Sequence, residues 1–176
     1  MSEDSIDKFI NKLNFFKEFN DHEKKKLRSI SNFVKFNIDE DVFKQGDSGD
    51  DLFVILHGNI GLYRIGTVNH VGEDKISLQR EVEKHVKELS AGAVFGEISM
   101  LTKSNRSVTA RVGSNNSVFM KISKKIMEGL NPAAQIKFHT QLLLSLAGHL
   151  DRMNSQFVDL EFKYDMLVSK TKENGK

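Results

Sequence analysis

Between Phe95 and Ala110 the chain sets a carboxylate, a guanidinium and several small residues at close spacing. Gly96 precedes Glu97, Ile98, Ser99, Met100 and Leu101, a short helix-compatible run. Arg106 follows nine residues after Glu97 and opens onto Ser107-Val108-Thr109-Ala110, which has strand character. A glycine at Gly96 lets another backbone or a ligand come close. The first amides of such a helix have no partner inside it and can meet an anion. The carboxylate accepts from hydroxyls, and the planar guanidinium suits two oxygens of one phosphate. A ligand with a sugar hydroxyl and one negative phosphate uses all three. The plain alternative is a helical turn between two strands, with Glu97 and Arg106 as a surface ion pair.

Other reactive constellations are missing from the sequence. There are no cysteines, which excludes disulfides, thiolate metal sites and a cysteine nucleophile. The six histidines, His22, His57, His70, His85, His139 and His149, are scattered with no i, i+4 pair, so no metal is expected. No nucleophile elbow or Walker loop occurs. The acidic clusters Asp39-Glu40-Asp41 and Asp50-Asp51 sit in turn contexts, and the chain is read as a non-enzyme. Its 176 residues suit one domain plus an extension. A net charge of +2, with lysines spread along the chain, offers no nucleic-acid stripe. No apolar run reaches membrane-spanning length. The polar start Met-Ser-Glu-Asp-Ser is unlike a signal peptide, and a cytoplasmic location is expected.

The elements around the central stretch follow from periodicity. Ile6, Phe9, Ile10, Leu13 and Phe16 have helical spacing over residues 5–19, and Asn20 with Glu23 forms a capping signal for a second helix to about Ser31. From Phe33 to Ile38 the period changes to two, as in a half-buried strand. Val42-Phe43, Leu52–Leu56 and Ile60–Arg64 read as strands, separated by the turn Gln45–Asp51 and by His57-Gly58-Asn59. Residues 66–82 are polar and read as an inserted loop or extended hairpin, solvated rather than partner-binding. Ser90–Ala93 turns into the central stretch. Ala110–Val112 and Val118–Ile122 are strands beyond it, and Ser123 caps a short helix through Met127.

Two of these stretches resemble one family. Phe95-Gly96-Glu97-Ile98-Ser99-Met100-Leu101, a short linker, then Arg106-Ser107-Val108-Thr109-Ala110 is similar to the phosphate-binding cassette of cyclic nucleotide-binding domains. That family includes the bacterial catabolite activator, regulatory subunits of cyclic-AMP-dependent protein kinase and cyclic-nucleotide-gated channels. Val42–Asp47 and Asp51–Ile60 resemble the strand–turn–strand of the same domains. Where the family has a glycine shortly before Val42, this chain has Ile38-Asp39-Glu40-Asp41, so Asp39 or Glu40 must make the turn. The resemblance implies a mainly β fold, an antiparallel β-roll of jelly-roll type with flanking helices, over residues 1–131. It implies that Arg106 takes the cyclic phosphate, that Glu97 accepts from the ribose 2′-hydroxyl, and that amides near Gly96, Glu97, Ile98 and Ser99 donate. Ser107 adds a hydroxyl. Val54, Leu62, Val94 and Val108 are pocket walls by analogy. The ligand is a cyclic nucleotide, with cyclic AMP favoured over cyclic GMP from the bacterial-style last helix alone.

That helix opens at Asn131-Pro132, with proline at the first turn. From Leu143 the apolar residues Leu146, Leu150, Met153, Phe157, Leu160, Tyr164 and Leu167 follow in steps of three and four. This is the a/d seam of a coiled coil. Residues 132–170 are therefore expected to be a dimerisation helix in a homodimer, and residues 171–176 a disordered tail. By the family's pattern Met153 and Asn154 approach the purine, and Asn154 can read a base edge. The expectation is a stand-alone sensor without a helix-turn-helix domain and without direct DNA binding, whose helix shift is read by an effector protein. The rival is a dimeric scaffold that kept the β-roll and binds no nucleotide.

Overall fold

The computed structural model describes residues 3–71 and 77–173. It opens with helices α1 (Glu3–Lys12) and α2 (Asp21–Ile30). Asn20 caps α2 as its sequence implies: its side chain accepts from the Glu23 amide at 2.9 Å, and the Glu23 carboxylate takes the Asn20 amide at 2.8 Å. The first helix is shorter than its apolar spacing predicts. It stops at Lys12, Leu13 is extended, and Asn14–Phe16 is a 3-10 turn. Adjacent residues on an α-helix point about 100° apart. The break lets the neighbours Phe15 and Phe16 both become buried, with Phe19 packed on Phe16.

The strands that follow are β1 (Asn32–Phe36), β2 (Asp41–Phe43), β3 (Asp51–His57), β4 (Asn59–Val71), β5 (Ser77–Ser90) and β6 (Val94–Phe95). Helix α3 (Glu97–Thr102) comes next, then β7 (Thr109–Val112) and β8 (Ser117–Ser123). Every described pairing is antiparallel. One sheet has the order β1-β8-β3-β6 and the other β2-β7-β4-β5. The fold is the mainly β roll with flanking helices that the sequence predicts. Strand character after Arg106 begins later than expected, at Thr109 rather than Ser107.

Alternation along the strands separates a core face from an outer face. Phe53, Ile55, Ile60, Leu89, Phe95, Ala110, Val112 and Phe119 form one buried cluster, with Phe43 and Leu62 packed on it. Phe95 is its hub: it stacks on Phe53 at 5.2 Å and meets Phe119 edge-on at 5.8 Å. Such pairs add about 0.5–1.5 kcal/mol each beyond area burial. The turn before β2 is made by Asp39 with φ 67°, in the left-handed region. Its amide donates to Val112 at 2.9 Å, and Glu40 closes the turn by accepting from the Asn37 amide at 2.7 Å. Residues 66–71 and 77–82 are paired strands, so the polar segment is an extended hairpin; residues 72–76 lie outside the described residues. Arg111 of β7 ties that hairpin to β2 through Asp41 at 2.8 Å and Glu83 at 3.0 Å.

Ser123 caps α4 (Lys124–Glu128) by accepting from the Ile126 amide, and Asn131 accepts from the Ala134 amide at the start of α5 (Pro132–Glu173). The chain divides into two compact units, residues 1–137 and 138–176. In the second unit α5 continues to Glu173, past residue 170. Its stripe residues Leu143, Leu150, Met153, Phe157, Leu160, Tyr164 and Leu167 are 60–66% exposed. No helix among the described residues is long and apolar enough to cross a membrane.

Candidate functional site

Arg106 is held where three segments meet. Its own backbone pairs with the turn after β2: the Arg106 amide donates to Asp47, and the Gly46 amide donates to Arg106, both at 2.8 Å. Gly46 has φ 90°, a conformation that glycine adopts freely. The guanidinium then runs inward. Nη1 donates to the Gly96 carbonyl at 2.7 Å and to Ser99 Oγ at 2.6 Å, and Nη2 donates to the Asp51 carbonyl at 2.9 Å. Its Cζ lies 4.3 Å from the centre of the Phe43 ring, a cation–π contact that joins the site to the aromatic core. Arg106 is only 6% exposed, and Nε is buried without any hydrogen-bond partner.

The surrounding glycines are spacers for this side chain. A Cβ at Gly49 would stand 2.6 Å from Nη2. A Cβ at Gly96 would stand 2.7 Å from Nη1, and Gly96 also has φ 77°. Burial pulls the guanidinium below its ordinary range, and the charges of Asp51, Asp50, Asp47 and Glu97 oppose that. It remains a cation near neutrality, as arginine does in proteins. Asp51 itself is tied to Lys121 at 2.9 Å.

Glu97 is buried at the first position of α3, and no ion pair joins it to Arg106 among the described residues. Burial pushes its carboxyl above the ordinary carboxylate value, against its own backbone amide and the charges of Lys87 and Arg106. A buried carboxylate and a buried arginine near one another, not joined to each other, are unlike a surface ion pair. They leave one strong acceptor and an unpartnered Nε donor.

Of the residues expected from sequence, Gly96, Ser99 and Arg106 are joined directly by hydrogen bonds. Ser99 contributes its hydroxyl to this arrangement, which sequence reading did not anticipate. Ile98 and Ser107 are exposed, and Val108 is half-buried. Val54 and Val94 are register partners, on the faces of β3 and β6 opposite Phe53 and Phe95. They do not share the surface on which Phe43 and Arg106 lie, which corrects their reading as pocket walls. Asn154 stands exposed on α5, in the other compact unit. Sequence reading missed Phe43, Gly49 and the Asp51 carbonyl as parts of the site. Their signal was the turn Gly46-Asp47-Ser48-Gly49-Asp50-Asp51, whose two glycines permit the approach to Arg106.

A family model described as "Cyclic nucleotide-binding domain" matches residues 33–130, more than half of the chain. The chain belongs to the cyclic nucleotide-binding domain family. The matched span includes both sheets, the turn after β2, α3 and Arg106. A cGMP-dependent protein kinase of Plasmodium berghei is 26% identical over 153 residues, covering 87% of this chain and 14% of the kinase. The chain spans about an eighth of the length of the curated relatives it matches. Among solved structures, a cyclic nucleotide-binding domain from Methylobacillus flagellatus is similar with a TM-score of 0.69 and 23% identity, covering 88% of this chain and 82% of that one. The regulatory domain of Toxoplasma gondii PKA, solved with cAMP, has a TM-score of 0.59 and 17% identity, covering 83% and 49%. These structural likenesses show the cyclic nucleotide-binding fold. Among the described residues no cluster of three or more histidine, aspartate or glutamate side chains could hold a metal ion.

Proposed function

We propose that the chain is a cyclic-nucleotide sensor whose ligand phosphate is held by Arg106. The observation that carries this is the buried guanidinium with its Nε unpartnered. Nε and Nη2 form one edge of the planar group, and that edge suits two oxygens of a single phosphate. Glu97, buried and above its ordinary carboxylate value, has an acceptor for the ribose 2′-hydroxyl. The Ser99 hydroxyl and the amides of Gly96 and Ile98 complete the cassette, with Ser107 and Val108 at its rim. Names that mention cGMP and names that mention cAMP both occur among the similar proteins, so both ligands are candidates; the favoured one is cyclic AMP. A scaffold that binds no nucleotide has no use for a desolvated arginine with a donor unspent, since burying a polar group without a partner is costly.

The sensor is proposed to act as a cytoplasmic homodimer through α5, without catalysis or DNA contact of its own. The a/d stripe supports pairing, because each such side chain buried is worth roughly 1.5–3 kcal/mol. An effector reads the shift of α5 that the ligand favours. Calorimetric titration with cyclic AMP, cyclic GMP and cyclic dinucleotides tests the ligand. Arg106→Ala leaves the phosphate charge in a desolvated site without its partner, and such truncations cost roughly 2–5 kcal/mol. Affinity is expected to fall at least about 30-fold. A variant that binds like the wild type would place the phosphate elsewhere.

A further inference from the structure

The hairpin of β4 and β5 sorts its charges by face. Beyond Tyr63, β4 pairs only with β5 among the described residues, so both faces of this ribbon lie outside the roll. Leu62 packs on the core cluster, and alternation from it puts Arg64, Gly66 and Val68 on the inner side. Their register partners on that side are Lys84, Val82 and Arg80, and Lys87 stands opposite Leu62. The register shift between Leu62 and Tyr63 leaves Val86 over, which keeps Lys87 and Lys84 on one face. The carboxylates take the outer side. Glu83, opposite Ile65, accepts from Arg111, whose Cζ lies 4.9 Å from the centre of the Tyr63 ring. Glu88, opposite Gly61, accepts from the Asn59 side chain, and Glu81 stands opposite Thr67.

Among the described residues the inner face thus carries cations alone. Arg64 and Lys84 are directly opposite each other, and like charges so placed destabilise a ribbon. Both are exposed, as is Arg80, and none of the three takes part in a described ion pair. The face adjoins the cassette. The Gln45 side chain clamps the backbone of Ile65, accepting from its amide at 2.7 Å and donating to its carbonyl at 3.2 Å. The next residue, Gly46, donates to the Arg106 carbonyl. At the base of the face Lys87 is half-buried, and its charge acts on Glu97. The cassette itself is rich in carboxylates. Asp51, Asp50, Asp47 and Glu97 all act on the one guanidinium of Arg106, and Lys121 is spent on Asp51. A phosphate that approaches from solvent meets those carboxylates before it reaches the buried Arg106.

We propose that Arg64, Lys84 and Arg80 form an electrostatic approach path that speeds capture of an anionic cyclic nucleotide by the cassette. The proposal rests on the reading of the cassette as the nucleotide site. From Leu62 to Val68 the ribbon runs about 20 Å, so Arg80 stands well out from a ligand seated at Glu97. Cations placed along the way in, rather than against the bound ligand, raise the rate of association and leave dissociation alone. The same placement accounts for the opposed pair Arg64 and Lys84: its cost to the ribbon is the cost of concentrating charge on one face.

Stopped-flow fluorescence of the full chain with fluorescent cyclic AMP, and separately with fluorescent cyclic GMP, resolves association from dissociation. At about 10 mM salt the screening length is about 30 Å. There, Arg64→Gln with Lys84→Gln and Arg80→Gln should slow association about three- to fivefold, and the three corresponding changes to Glu about tenfold or more. At about 1 M salt, where screening is complete within about 3 Å, the rates should converge on that of the wild type. Dissociation should be unchanged throughout, whereas Arg106→Ala should lose affinity mainly through faster dissociation. Removing Arg64 and Lys84 relieves a like-charge pair, so circular dichroism should be unchanged; Arg64→Gln with Arg80→Gln is the second variant should the triple change disturb the ribbon. Lys8→Gln with Lys25→Gln and Lys26→Gln removes the same charge from α1 and α2 and should slow association far less. Association that neither hairpin variant slows, a loss that lies in dissociation, or equal slowing by the α1 and α2 control would overturn the proposal while the cassette reading stands. A wild-type chain that binds neither nucleotide would overturn the cassette reading, and the approach path with it.

Discussion

Replacing Gly49 by alanine perturbs the site through space alone. The new Cβ would stand 2.6 Å from Arg106 Nη2 and 2.9 Å from Cζ and Nε, where ordinary contact begins near 3.4 Å. Gly49 is not in the left-handed region, so its backbone accepts alanine. The guanidinium must therefore retreat by about 0.8 Å. Its hydrogen bonds of 2.6–2.9 Å cannot all survive that movement. One charge-assisted bond to the ligand phosphate lost or badly bent costs roughly 1.5–3 kcal/mol, so cyclic-nucleotide affinity should fall about 10- to 150-fold. Calorimetric titration measures this, and a double-mutant cycle tests the route. In an Arg106→Ala background the Gly49→Ala change should add little, because the group it displaces is gone. Wild-type affinity for Gly49→Ala, or an undiminished extra loss in the Arg106→Ala background, would refute the claim that Gly49 acts by leaving room for Arg106.

Four further outcomes are expected. Lys137→Met leaves buried Glu23 without the ammonium that donates to both its oxygens at 2.8 and 3.0 Å, and should cost about 3 kcal/mol in urea unfolding. The hydrogen bond from Lys137 holds the Glu23 carboxyl below 4.5, so this stabilisation is present above that value and fades as pH falls through the depressed one. Glu97 behaves oppositely: burial raises its carboxyl, so its contribution to the free chain's stability is present below the ordinary value and fades as pH rises through the raised one. The charged carboxylate accepts from a ribose hydroxyl more strongly than the neutral acid, so nucleotide affinity should climb as rising pH ionises Glu97 and then level, and Glu97→Gln should flatten the profile in calorimetric titrations. Asn154→Ala should shrink the affinity ratio between cyclic AMP and cyclic GMP by up to about tenfold, near one hydrogen bond, while sparing ribose-phosphate analogues that lack the base. Met153→Glu with Leu160→Glu should make the full chain monomeric in sedimentation at high micromolar concentration; a dimer that persists would remove the seam from assembly.

Much of the fold was legible in order along the chain, because the signals are local. Asn20 and Glu23 announce a helix start with two side chains three residues apart, and the structure forms both bonds. Residues 33–38 declare a strand by alternation, and Leu52–Leu56 by a continuous apolar run, which the structure buries on both faces. The missing glycine before β2 left the turn to Asp39 or Glu40, and the structure gives the positive φ to Asp39, as aspartate tolerates it. Gly96, Glu97 and Arg106 were legible as types and spacing that fit a sugar and a phosphate.

Tertiary structure decided what no local pattern encodes. The first helix stops at Lys12 although its apolar spacing continues, because Phe15, Phe16 and Phe19 all reach the core only if the helix breaks. Val54 and Val94 are pocket walls by family analogy, yet alternation counted from Phe53 and Phe95 turns them to the other face. Arg106 finds its acceptors on Asp51, Gly96 and Ser99, and its aromatic platform on Phe43, 63 positions earlier. Sequence carries the chemistry of each group. Which of the Arg106 donors are satisfied, and that Nε is buried without a partner, depends on atoms brought together from distant segments by the packing of two sheets.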